Sequence, residues 1–141
     1  MILKGDIGYL ELEVLTNKIS GSDDFWEENW LYTSVKGNFP GFTANYDCNL
    51  RTDDLKRCYN DVIGLINGIT NNAKLTTLEE GIELSFQKDK FGSIQVSGKL
   101  TATDLTRCCL EFTFVTDIQT VISFNSQLHK ILIEYPIIGK P

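Results

Sequence analysis

Apolar and polar residues alternate along most of this chain. In the first such run Leu10, Leu12 and Val14 alternate with Glu11 and Glu13. Because successive side chains of a strand point to opposite faces of a sheet, this pattern predicts a strand with one buried face. The same period returns in further segments, at residues 30–37, 42–50, 82–86, 94–100 and 108–115.

Two segments have the longer period of an amphipathic helix. After Thr52 the apolar positions fall at helical spacing, and Asp53 and Asp54 supply an acidic first turn. Near the end of the chain a second apolar stripe stops at Pro136, which cannot continue a helix. The stripe residues of the two helices are Leu55, Cys58, Tyr59, Val62 and Ile66, then Phe124, Leu128, Ile131, Leu132 and Tyr135.

The order of these elements predicts an α+β fold. Three strands precede the first helix, and about four strands in a meander from Ala73 separate it from the second. Strands and helices do not alternate, so parallel crossovers are not expected. We therefore expect one domain over residues 1–141, a largely antiparallel sheet of about seven strands with two helices packed on its apolar face. A hydrophobic content of 42% is enough for a single core at this length.

The negative charge is concentrated near the start of the chain. Residues 1–30 contain seven acids and two lysines, a net charge of −5, whereas the other 111 residues contribute −1 to the total of −6. Such a surface repels nucleic acid and attracts a basic partner. We expect the acidic stretch over residues 17–29 to be a long loop, and loops of that length are often functional.

The most unusual stretch is "SGSDDFWEENW", residues 20–30, which combines four acids with three large aromatic side chains. One interpretation is a recognition surface, in which an exposed aromatic ring fills a pocket on a partner and the carboxylates attract its lysines and arginines. The alternative is that Phe25, Trp26 and Trp30 pack back onto the sheet while the acids face water. The candidate partner-binding residues are Asp23, Asp24, Trp26, Glu27 and Glu28.

No pattern in the sequence predicts catalysis, a cofactor or a metal site. The only histidine is His129, at the margin of the second helical stripe, and no CxxC pair or glycine-rich phosphate loop is present. The acids lack the spacing of a calcium loop. We expect reduced, packed thiols at Cys48, Cys58, Cys108 and Cys109, with a disulfide, a metal site or a cysteine–histidine catalytic pair as the alternatives left open.

The sequence also predicts where the protein acts. It contains no run of about 18 apolar residues that would span a bilayer. Its first residues alternate in polarity and carry acids from Asp6 onward, unlike a secretion signal. We expect a cytoplasmic protein that binds neither membranes nor nucleic acid.

Five further segments and Trp30, which opens a strand, carry a resemblance to the WapI family of bacterial immunity proteins. The segments are "FPGFTANY", "DDLKRCYNDVIGLING", "AKLTTLEEGIELSF", "FGSIQVSGKL" and "LEFTFVTDIQT". In the last of them the aromatic strand is expected to end on Asp117, Gln119 and Thr120.

The resemblance implies a non-catalytic protein that neutralises a toxin. Its partner would be the C-terminal domain of a WapA-type, wall-associated toxin of contact-dependent growth inhibition, commonly a nuclease that cleaves tRNA. Inhibition would then cover the active or substrate-binding face of the toxin, which is basic in a nuclease. The alternative left open is a small-ligand-binding or scaffold domain without catalysis.

Overall fold

The structure is a computed structural model that describes residues 1–102 and 107–141. Within this part of the chain it has eight strands and three helices. The strands are β1 (Ile2–Lys4), β2 (Tyr9–Lys18), β3 (Trp30–Phe39), β4 (Phe42–Arg51), β5 (Asn72–Leu75), β6 (Ile82–Lys88), β7 (Ile94–Ala102) and β8 (Cys108–Thr116). The helices are α1 (Phe25–Glu28), α2 (Thr52–Ile66) and α3 (Ile118–Glu134).

The strands form two antiparallel sheets of four. Sheet A has the order β1-β2-β3-β4 and sheet B the order β5-β6-β7-β8. In each sheet, neighbours in the chain are neighbours in space. Each sheet is followed by a long helix, α2 after sheet A and α3 after sheet B, so the two halves share one layout.

The prediction of an α+β fold with antiparallel strands is confirmed, but the single sheet of about seven strands and its element order are wrong. The helix α2 starts directly after β4, and the chain then forms hairpins among its own next strands instead of adding to β4. The short strand β1 and the four-residue helix α1 were also not predicted. Strands in hairpins pair locally, so alternation alone does not tell which sheet a strand joins.

The core lies between the inner faces of the two sheets and the two long helices. Buried residues from both sheets, α2 and α3 form one cluster. Phe39 of sheet A stacks on Phe112 of sheet B at 4.5 Å between ring centroids. Phe124 of α3 lies 6.0 Å from Phe86 of sheet B. Burial of the first pair helps to hold the two sheets together, and burial of the second helps to hold α3 on sheet B.

The start of α3 corrects a further expectation. Asp117, Gln119 and Thr120 do not end the aromatic strand, because β8 stops at Thr116. The side chain of Asp117 instead accepts a hydrogen bond from the Thr120 backbone N–H at 2.8 Å, which makes it the N-cap of α3. Hydrogen bonds from Thr120 lower the pKa of the Asp117 carboxyl.

Candidate protein-binding surface

The acidic segment is ordered around the short helix α1. Asp24 precedes α1, and its Oδ1 accepts hydrogen bonds from the backbone N–H groups of Trp26 at 2.8 Å and Glu27 at 3.0 Å. An acid in this position satisfies donors that a helix start leaves unpaired. Asp23, Asp24 and Glu27 remain exposed around the capped turn.

Glu28, which was expected to face a partner, is instead buried. Its side chain is only 2% exposed. Its Oε1 accepts backbone N–H bonds from Ser20 at 2.9 Å and Ser22 at 3.0 Å, and hydrogen bonds from both serine hydroxyls. The bond from the Ser20 hydroxyl is the main reason why the pKa of Glu28 is lowered. Glu28 therefore closes the loop over residues 20–22 onto α1.

A buried arginine holds α1 on the outer face of sheet A. Arg51, at the end of β4, is 1% exposed. Its Nη1 and Nη2 donate to the carbonyl oxygens of Trp26 and Phe25, each at 3.0 Å, and its Nε donates to Asp53 at 2.9 Å. Its guanidinium carbon lies 4.9–5.1 Å from three ring centroids, those of Phe25, Trp26 and Trp30. Cation–π contacts of this kind strengthen when the cation is desolvated.

The aromatic rings of the segment differ in their exposure. Phe25 is buried, Trp30 is half-buried, and Trp26 remains 58% exposed. The Trp30 indole N–H donates to the carbonyl oxygen of Trp26 at 3.0 Å, and the Phe25 and Trp26 rings meet edge to face. Trp26 is thus packed against Phe25 and Arg51 and also exposed to solvent.

The chain beyond α3 supports the same segment. The Asn29 side chain donates to the carbonyl oxygen of Ile138 at 2.9 Å and accepts from the Ile138 N–H at 2.8 Å. Gly139 has φ +74°, and a Cβ there would lie 2.6 Å from the Asp23 carbonyl oxygen, so no other residue fits without a shift. Contacts from sheet A and from the end of the chain therefore fix α1 together.

The outer face of sheet A continues this surface beyond α1. Side chains of β2, β3 and β4 form rows across the sheet, set by the strand register. The three rows that begin at α1 are Lys18, Trp30 and Arg51, then Thr16, Tyr32 and Asn49, then Glu13, Ser34 and Asp47. We call the second and third rows the Tyr32 face. Tyr32 is 43% exposed and its hydroxyl donates to Asp47 Oδ2 at 2.9 Å.

Sequence reasoning missed the Tyr32 face and Arg51. The signal for Tyr32 was present, since Leu31 and Thr33 are buried and alternation puts Trp30 and Tyr32 together on the opposite face. No sequence signal pairs Arg51 with the aromatic rings, because the contact joins residues more than 20 positions apart.

Comparison with known proteins identifies the family. Residues 1–136 match the Immunity protein WapI-like family. The chain belongs to that family. Membership indicates toxin immunity and implies a cognate toxin as partner, and it favours a non-catalytic inhibitor over an enzyme. No curated protein matches the chain.

Two solved structures are similar to the immunity protein at low identity. A crystal structure of MRP1/MRP2 from Trypanosoma bruciei has 9% identity and a TM-score of 0.47, and the match covers 93% of this chain and 86% of that chain. A guideRNA-binding protein complex bound to a gRNA has 10% identity and a TM-score of 0.44, covering 92% of each chain. Neither TM-score reaches 0.5, so nothing about binding by the immunity protein follows from these likenesses.

The structure places the histidine and the cysteines that the sequence raised as candidates for catalysis or metal binding. His129 is exposed and stacks on Tyr59 at 5.2 Å. All four cysteines are free; burial raises the pKa of Cys48 and of Cys58 to about 12, which disfavours the reactive thiolate. Among the described residues no group of three or more acids, histidines or cysteines is arranged to hold a metal ion. In the same residues no helix has the length and apolarity needed to cross a membrane.

Proposed function

We propose that this immunity protein binds the C-terminal toxin domain of a contact-dependent growth inhibition protein in the cytoplasm and covers its basic active or substrate-binding face. The observation that carries the proposal is that the exposed acids Asp23, Asp24 and Glu27 occur at α1 together with the exposed ring of Trp26. That ring is held by contacts with Phe25 and Arg51. A nuclease, including one that cleaves tRNA, needs a positive face to hold phosphates. An acidic surface is complementary to such a face.

The affinity that immunity requires explains why the aromatic ring matters. Protection against a few toxin molecules calls for nanomolar binding or tighter, which is about −12 kcal/mol. Exposed ion pairs contribute about 0 to 1 kcal/mol each and weaken in salt. Rings held rigidly before binding lose little entropy when a partner covers them, so Trp26 serves as the anchor and the acids speed association.

The test uses the cognate toxin domain, which we expect to be encoded next to the gene for this chain. The two proteins are co-purified, and RNA cleavage by the toxin domain is followed with and without the immunity protein. We expect a stable complex and loss of cleavage. Absence of a complex, or a complex that leaves toxicity to cells intact, would contradict the proposed function.

The acidic edge is tested by a triple variant, Asp23→Asn, Asp24→Asn and Glu27→Gln. Asparagine still caps a helix and Glu28 is left in place, so the fold of the segment is retained. We expect slower association with the toxin domain and a weaker dependence of the association rate on salt. The matched control, Asp61→Asn, Glu111→Gln and Glu134→Gln, removes the same charge from exposed positions elsewhere.

One observation favours a second candidate function, the binding of a small apolar ligand. A cleft of about 570 Å³ opens between the sheets and is lined mainly by apolar side chains, a size typical of ligand sites. Phe42 at its mouth is 67% exposed. Native mass spectrometry of the freshly purified protein would show a retained ligand as added mass, and Ala44→Trp would remove it by filling the cleft.

A further inference from the structure

The Tyr32 face differs from an ordinary polar sheet surface in the arrangement of its charges. In its third row, Glu13 and Asp47 lie on either side of Ser34. The two outer strands are separated by two strand spacings, so the Cα atoms of the two acids are about 10 Å apart. The space between the carboxylates is occupied by a small polar side chain, and the two lysines of the outer face of sheet A lie outside the Tyr32 face, Lys36 in the next row and Lys18 in the row of Trp30.

A groove runs along β4 next to this row. Its volume is about 580 Å³, and its lining includes the aromatic ring of Tyr32 and the polar side chains of Asn45, Asp47, Asn49 and Glu79. The Asn49 side-chain amide donates to Glu79 Oε2 at 3.5 Å, which adds a third carboxylate at the groove's edge. The groove thus combines an aromatic ring with acceptor oxygens, the two features that attract a lysine or arginine head group, while Glu13 lies across the row from Asp47 and outside the lining of the groove.

We propose that the Tyr32 face is a second contact region for the same toxin domain, in which a lysine or arginine of the toxin lies over the ring of Tyr32 between Glu13 and Asp47. This inference rests on the proposed function. The Tyr32 row follows the Trp30 row by two residues, about 7 Å along the strands, so the face is continuous with the α1 surface. The α1 surface and the Tyr32 face then form one interface, in which Arg51 holds α1 in place before binding.

The size of this surface is consistent with the centre of an interface. From Trp26 to the row of Glu13, the combined surface extends roughly 20 Å along the strands and about 15 Å across them, or roughly 300 Å². A stable complex covers about 800 Å² on each partner. We therefore expect the dominant contacts to lie on this combined surface, and neighbouring residues to supply the rest of the contact area.

The experiment compares two double variants that have the same net charge. Glu13→Gln with Asp47→Asn neutralises the acids of the Tyr32 face, and the amide oxygen that replaces the carboxylate still accepts the bond from the Tyr32 hydroxyl. Glu83→Gln with Glu111→Gln neutralises two acids that lie on either side of Lys99 on the outer face of sheet B. Binding to the toxin domain from the neighbouring gene is measured as association and dissociation rates, at low and at physiological salt.

We expect the sheet A variant to bind the toxin domain about tenfold more weakly or worse, mainly through faster dissociation, which reports lost contacts. The sheet B variant should bind within twofold of the wild type. Equal weakening of both variants would overturn the inference, because it would show a general effect of charge. An unchanged affinity in the sheet A variant would overturn the inference and leave the proposed function standing.

A measurement on the unmodified chain guards against altered folding. Hydroxyl-radical footprinting of the wild type, alone and with the toxin domain, reports the exposure of Tyr32. Protection of Tyr32 in the complex is the expected result, with Phe91 of the sheet B hairpin as an exposed internal control. Unprotected Tyr32 in a complex that forms would overturn the inference alone, whereas failure of the wild type to bind would overturn the proposed function with it.

Discussion

The outer faces of the two sheets differ although, apart from the short helix α1, the two halves of the chain share the ββββα layout. On sheet B a row across the strands consists of Glu83, Lys99 and Glu111, so a lysine lies between two acids. The comparable row on sheet A is Glu13, Ser34 and Asp47, in which a serine takes the central place. In the sheet B row the lysine neighbours both acids, whereas in the sheet A row the two acids flank a serine and the lysines of that face, Lys18 and Lys36, belong to other rows.

The two faces also differ in what covers them. Sheet B presents small polar side chains in its centre, including Ser97 and Thr113, which hydrogen-bond to each other at 3.2 Å. Sheet A carries α1 and three aromatic rings arranged around Arg51. The comparison teaches that a repeated layout can serve two purposes, one half mainly supporting the core and the other also presenting a rigid, charged and aromatic surface.

The largest effect on the free energy of unfolding is expected at the contact between the two sheets. Phe39→Ala and Phe112→Ala each remove one ring of the stacked pair between the sheets, and each should lower the free energy of unfolding by about 4 kcal/mol. Urea unfolding is followed by tryptophan fluorescence, which reports the sheet A half because both tryptophans lie there, and by far-ultraviolet circular dichroism, which reports both sheets. We expect the two signals to coincide for the wild type; separate transitions would show that the halves unfold independently.

The next largest effect on the free energy of unfolding is expected at Arg51, the buried cation of sheet A. Lys99, a half-buried cation of sheet B, serves as its control. Arg51→Met leaves the carbonyl oxygens of Phe25 and Trp26 without their donor, and should cost about 3 kcal/mol of unfolding free energy. Lys99→Met, the control, should change it by at most about 0.5 kcal/mol. Equal costs in urea titrations would show that Arg51 does not hold α1.

A smaller effect is expected at the exposed ring. Trp26→Ala removes one of three rings around Arg51 and should lower the free energy of unfolding by about 1 kcal/mol. Phe91→Ala, at a ring that is 83% exposed on the sheet B side, should have almost no effect. With the toxin domain present, Trp26→Ala should also raise the dissociation rate, and a drop in stability without a change in that rate would assign Trp26 to packing alone.

The smallest effect is local and depends on pH. Because the folded state lowers the pKa of Glu28 below its ordinary 4.5, its charge stabilises the loop fully above that value, and the stabilisation is lost as pH falls through the lowered pKa. Glu28→Gln should speed amide hydrogen exchange at Ser20 and Ser22 near neutral pH, while Glu27→Gln should leave it unchanged. Equal exchange in both variants would show that Glu28 does not close the loop.

Local patterns predicted most of the elements. The alternation in β2, β3 and β4 and the helical spacing in α2 and α3 agree with the strands and helices observed. The stretch from Asp23 to Glu28 was recognised as unusual, but the sequence did not show which of its acids have structural roles and which only face solvent. Asp24 caps α1 and Glu28 is buried by two serines, and neither role follows from an acid's position in an acidic run. Which of the exposed residues contact a toxin remains a prediction.

The sequence by itself determined the α+β class, the antiparallel strands, the charge asymmetry and, through its family resemblance, the expectation of immunity. These properties depend on periods of two or about 3.6 residues, on composition and on local motifs, all of which are visible along the chain. Only the tertiary structure decided that there are two sheets and that Arg51 lies among three aromatic rings. It also decided that Glu13 and Asp47 belong to one row across sheet A, next to the row that contains Tyr32. Those facts depend on which distant segments meet, and the free energy that selects the meeting comes from packing and desolvation of groups far apart in sequence.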